Sequence, residues 1–151
     1  MSANNQIDPR GPRFGAAITN LLSLIIFFLA LDAGTLTFAY ELLAFVWFSF
    51  LWGSVYGNSR HPYGLLFKKF VRPRLQAPKE LEDARPPRFA QLVGLIVASL
   101  GFVLGALFGA TGLAIAAAAL FVASVLQAYF AFCLGCQIYL GLKRLGVIRS
   151  A

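Results

Sequence analysis

The sequence predicts an all-α membrane protein with four transmembrane helices as two repeated hairpins and a short amphipathic interfacial helix in a central cytoplasmic loop. Three observations carry this reading. First, 59% of the 151 residues are hydrophobic and only 13% are charged, where a soluble domain carries about 25% charged residues. Second, the basic residues cluster between apolar runs. Third, one short motif recurs at the head of two of those runs.

The same composition excludes other classes. Its aliphatic and aromatic richness excludes disorder, two cysteines exclude a disulfide-stapled scaffold, and the length excludes a large multidomain enzyme. The polar, proline-containing start MSANNQIDPRGPRFG lacks the basic-then-apolar pattern of a cleaved signal, so the first apolar run is expected to be a retained span.

A bilayer core of about 30 Å needs about 20 mostly apolar residues per helix. The first span is expected from Phe14 to Leu31, followed by a polar turn at Asp32, Ala33, Gly34 and Thr35. The second runs from Leu36 to Tyr56, the third from Phe89 to Phe108, and the fourth from Leu113 toward Leu142. The chain thus reads as one membrane domain over residues 1–151, with hairpin one at 14–56, a loop at 57–88 and hairpin two at 89–142.

Between the hairpins, PYGLLFKKFVR places Tyr63, Leu66, Phe67, Phe70 and Val71 on one helical face and Lys68, Lys69 and Arg72 on the other. This predicts a helix lying in the headgroup layer and ending before Pro73. The following RLQAPKELEDARPP is a polar, proline-rich linker.

All 13 Lys and Arg fall before the first span, in the central loop, or after the fourth. With an even number of spans these regions share one side, and the positive-inside rule makes that side cytoplasmic, with both termini. The expected location is a bacterial inner membrane. The net charge of +7 is therefore a topological signal, assigned to anionic headgroups rather than to nucleic acid.

Ahead of the first span stand Asp8, Arg10, Pro12, Arg13 and Phe14; ahead of the third stand Asp83, Arg85, Pro87, Arg88 and Phe89. The shared DxRxPRF pattern implies two parallel hairpins related by a pseudo-two-fold axis along the membrane normal. It reads either as a helix-entry cap or as a lipid- or anion-binding pocket. The candidate headgroup or anion ligands are Arg10, Arg13, Arg85, Arg88, Lys68, Lys69 and Arg72. Gly101, Gly105 and Gly109 form a small-residue stripe expected to pack on the alanine-rich start of the fourth span, Ala114 and Ala116 to Ala119.

The single histidine, His61, reads as an interfacial residue, and its solitude excludes bis-histidine haem ligation within the chain. Asp32 and Glu41 alone cannot form a proton relay across the membrane. Cys133 and Cys136, the only cysteines, stand at CxxC spacing near the expected end of the last span. Such a pair serves thiol redox chemistry or sulfur transfer when activated, or is structural when buried. A helix C-terminus disfavours a thiolate, and two sulfurs are too few for a closed zinc site unless His61 or another chain contributes. No cofactor or metal is implied.

DPRGPRF, HPYGLLF, ARPPRF and CLGCQIYL together resemble a bacterial family, frequent in actinobacteria, of four-helix membrane proteins catalogued as a domain of unknown function. Its members are often encoded near thioredoxin-like proteins and thiosulfate-type sulfurtransferases. The resemblance implies thiol or sulfane-sulfur chemistry at Cys133 and Cys136 with such a soluble partner. The competing expectation is a non-catalytic accessory subunit of a larger membrane complex.

Overall fold

A computed structural model describes residues 5–149. It opens with a two-residue strand β1 (Gln6–Ile7) and helices α1 (Arg10–Ala30) and α2 (Leu36–Tyr56). Helix α3 (Pro62–Leu66) widens into a π turn over Phe67–Val71 and tightens into a 3-10 turn over Arg72–Arg74. Strand β2 (Glu82–Asp83), α4 (Arg85–Phe108), α5 (Ala110–Phe130) and α6 (Leu134–Arg144) complete the chain. α1, α2, α4 and α5 are each long and apolar enough to cross a membrane, and their outward faces carry large apolar side chains such as Phe28, Phe48 and Leu107.

The two DxRxPRF copies begin their helices identically. Asp8 accepts the Arg10 backbone N–H at 3.0 Å and grips its guanidinium with Nη2 at 2.8 Å, while Asp83 does the same for Arg85 at 2.9 and 2.6 Å. Each carboxylate satisfies an orphan N–H and sits at the positive helix end.

β1 and β2 pair antiparallel, Gln6 with Asp83 and Ile7 with Glu82. Ile7 and Glu82 are equivalent positions in the repeat, so the pseudo-two-fold axis passes between them. The helix contacts obey the same symmetry: α1 packs on α2 and α5, and α4 packs on α5 and α2.

The bundle is tight at the turn end and looser at the basic end. Ile26, Ala30, Ala39, Leu43, Leu113 and Ala117 form a closed core toward the inter-helix turns. α4 and α5 are joined there by Gly109 alone, whose φ of 63° favours a residue without Cβ. The glycine stripe has a broader partner than expected. Gly101 faces Ala116, as anticipated, but also Leu43 of α2, and Gly105 faces Tyr40. The large α2 side chains fill the grooves that the glycines leave.

Two expectations need correction. The interfacial segment continues through Pro73 to Arg74 by changing helical pitch, and only Tyr63 and Phe67 of its apolar face are buried; Leu66 and Phe70 are exposed. The wider π turn shifts the angular register after Phe67, turning Phe70 outward. More consequentially, the fourth span ends at Phe130 and does not continue to Leu142.

Candidate functional site

The break after α5 rests on one residue. Ala131 adopts the left-handed conformation (φ 55°), and the Phe132 N–H turns back to the Leu126 carbonyl at 2.9 Å. Cys133 is then extended and becomes the N-cap of α6, its Sγ accepting the Cys136 N–H at 3.2 Å. This reverses the electrostatic expectation from the sequence. The cysteine pair stands at a helix N-terminus, where dipole and backbone N–H favour a thiolate, while Lys143 and Arg144 complement the opposite end. Cys133 and Cys136 are joined as a disulfide with Cα atoms 5.1 Å apart, and both are partly exposed.

α6 is fixed by its contact with α4. A Cβ on Gly135, between the cysteines, would lie 2.5 Å from the Ala90 Cα, so no side chain fits between the helices. Tyr139 packs on Phe89 with ring centroids 5.6 Å apart. The first half repeats the arrangement: α3 lies on α1, and Phe67 packs on Phe14 at 5.8 Å. His61 caps α3 as Cys133 caps α6, each six residues before its buried aromatic ring. The repeat therefore extends beyond the hairpins to these short helices, with histidine and cysteine at the equivalent cap.

His61, just beyond the end of α2, is buried within the protein. Its Nδ1 accepts the Tyr63 backbone N–H at 3.2 Å, so its proton lies on Nε2, which donates to the Ser49 carbonyl at 2.8 Å. Burial pushes its pKa below the ordinary histidine value, partly opposed by that bond. Nearby lie the Asn58 amide, whose buried atoms lack a hydrogen-bond partner, and the buried Tyr63 hydroxyl, which interacts with Ser49.

These residues border a cavity of about 540 Å³ within the basic half of the bundle. Gly15, Gly94 and Ala123 border it, Gly94 leaving room for the Phe50 ring, and Gln91 and Gln127 add polar groups to a mostly apolar wall. Leu134, Gly135 and Ile138 of α6 also line it. At about 100° per residue, Cys136 falls on the other side of that helix from Leu134 and Ile138, and neither cysteine borders the cavity.

The predicted basic ligands divide. Arg10 and Arg85 are held by Asp8 and Asp83, and these ion pairs keep both carboxyls below their usual range. Arg88 donates to the carbonyls of Ser54 and Val55, both at 2.7 Å, closing the end of α2. Arg13 is exposed. Lys68 reaches the Ser59 carbonyl at 3.2 Å, and Lys69 lies 5.4 Å from the Phe70 ring centroid. Lys68 and Arg72 border the cavity beside Asp8. Arginine pairing was accessible from the motif, whereas the cavity and His61 were not. Among the described residues, no three His, Cys, Asp or Glu side chains gather to hold a metal ion.

No curated protein and no solved structure matches the chain. The family described as Domain of unknown function (DUF4395) matches residues 7–144. With most of its length covered, this protein belongs to that family.

Proposed function

We propose that the chain is a membrane-anchored thiol–disulfide redox or sulfur-transfer component acting through Cys133 and Cys136. The observation that carries this reading is the position of Cys133 as the N-cap of α6. The reduced Cys133 thiolate attacks a sulfur of a thioredoxin-like partner's disulfide, forming a mixed disulfide and releasing one partner thiolate. The Cys136 thiolate then attacks the Cys133 sulfur and releases the second. Two electrons pass to the partner, whose thiolates take up the two protons lost from the cysteines. With a sulfurtransferase persulfide as donor, Cys133 instead accepts the outer sulfur as the donor's thiolate leaves.

Two features support cycling over a purely structural bridge. A bridge between residues three apart closes so short a loop that chain entropy gives it about 2 kcal/mol, leaving a fold that survives reduction. The basic side to which α6 belongs is the reducing side under the positive-inside rule, where persistent structural disulfides are rare.

Maleimide labelling in native membranes, with and without reductant, tests the reading alongside a Cys136→Ser variant and a double Cys→Ser variant. The expectation is reductant-dependent labelling of both thiols and a trapped mixed disulfide through Cys133. Unreactive thiols together with a wild-type phenotype for the double variant would remove it. Recovery of a stoichiometric membrane complex would then support the accessory-subunit alternative.

A further inference from the structure

We propose that the cavity in the basic half of the bundle binds a single-chain anionic amphiphile, head at Lys68 and Arg72 and apolar tail between the helices. The inference is independent of the cysteine chemistry, since neither Cys133 nor Cys136 borders the cavity.

The cavity has the proportions of such a ligand. Along α1 it is bordered from Gly11 to Thr19, which at 1.5 Å per residue is about 12 Å. This approaches the thickness of one leaflet's hydrocarbon, about 15 Å. Its deeper wall is formed by Phe50, Val93, Val97 and Leu120, a surface that accepts a hydrocarbon chain and holds water poorly. The volume of about 540 Å³ falls in the range of small-molecule sites, and apolar walls with a few polar groups are their usual form.

Charge at the mouth selects the head. The exposed Lys68 and Arg72 and the buried Asp8 border the cavity, and Asp8 is already held by Arg10 through both carboxylate oxygens. Lys68 and Arg72 therefore remain as net positive charge. Lys68 makes one bond to a neutral carbonyl, leaving two ammonium donors for an incoming oxyanion. Below them, the unpartnered Asn58 amide and the Tyr63 hydroxyl lie in residues that border the same space. Small adjustments of these groups would supply neutral donors beneath a carboxylate or phosphate.

The test uses the full chain in phosphatidylcholine nanodiscs titrated with dansyl-undecanoic acid, empty nanodiscs serving as the blank. Saturable emission enhancement above the blank is expected, with competition by dodecanoate or dodecyl phosphate, whichever head the site prefers, and at least tenfold weaker competition by dodecanol. Lys68→Glu with Arg72→Glu should weaken probe binding at least tenfold, while Lys68→Arg retains it. Ala123→Phe should block the tail; its melting temperature reports whether the fold persists, and the surface charge variants decide the matter if it does not. Signal equal to the blank, equal competition by dodecanol, or unchanged binding in the charge-reversed variant would overturn the proposal. Native mass spectrometry showing a phospholipid that dodecanoate and dodecyl phosphate cannot displace would overturn it too.

Discussion

Gly135→Ala, compared with Gly141→Ala in the same short helix, tests whether the α4–α6 contact holds the cysteine pair in place. The substitutions are chemically identical, and each gains helix propensity, about 0.8–1.0 kcal/mol in a helix interior and at most that at Gly135 in the first turn of α6. Their surroundings differ. A Cβ on Gly141 meets nothing within 4 Å, so Gly141→Ala should stabilise by about 0.5–1 kcal/mol. A Cβ on Gly135 would sit 2.5 Å from the Ala90 Cα and 2.6 Å from its Cβ. Carbon atoms pack at about 3.5–4.0 Å, so α6 must withdraw by about 1–1.5 Å, and no side-chain rotation relieves a clash with backbone.

Overpacking of this kind costs about 1–3 kcal/mol. Set against the propensity gain, Gly135→Ala should be destabilising by about 0–2 kcal/mol, with Ala90→Gly rescuing only part because the Ala90 Cα remains. Thermal unfolding of the three variants in nanodiscs provides the ranking. A Gly135→Ala protein as stable as Gly141→Ala would refute the close packing of α6 on α4.

Ser99 accepts the indole N–H of Trp47 at 2.8 Å inside the bundle; Ser99→Ala should cost about 0.6–1.7 kcal/mol, and a cycle with Trp47→Phe should assign most of it to this pair. Folded His61 resists protonation, whereas the unfolded chain takes up a proton near its ordinary value of about 6.5. Stability should therefore fall as pH drops below about 6.5 toward the folded value, and His61→Asn should flatten that slope in pH-dependent melting. Asp8 and Asp83, lowered by their arginines, contribute stability that is present above about 3.9 and lost as pH falls through their folded values. Asp8→Asn with Asp83→Asn should remove that lower segment of the same profile.

The four spans and the repeat were legible because lipid imposes length and because DxRxPRF marks each helix entry with charge, proline and aromatic ring. The end of the fourth span was not. It turns on Ala131, an alanine in a left-handed conformation usually left to glycine or asparagine, so local composition gives no stop signal. The only trace was length: a continuous helix from Leu113 to Leu142 would run about 45 Å, against a core of about 30 Å. Missing that break put Cys133 at the wrong pole of a helix. The burial of His61 was not legible because its partner, Ser49, comes from the preceding span, and the cavity was not because its walls come from helices far apart in the sequence. The matching spacing of His61 to Phe67 and Cys133 to Tyr139 could have revealed α6 as the counterpart of α3.

α1 meets its most extensive neighbour only in α5, the last of these four spans to leave the ribosome. Until then its buried Asn20 faces the bilayer without the Phe121 carbonyl and the Ser124 hydroxyl that it later approaches at 3.5 Å. β1 likewise waits for Glu82 and Asp83. Biogenesis thus begins with a first hairpin that cannot complete its polar contacts alone, and synthesis arrested before α5 should leave a product recognised by membrane quality control rather than a stable half-protein.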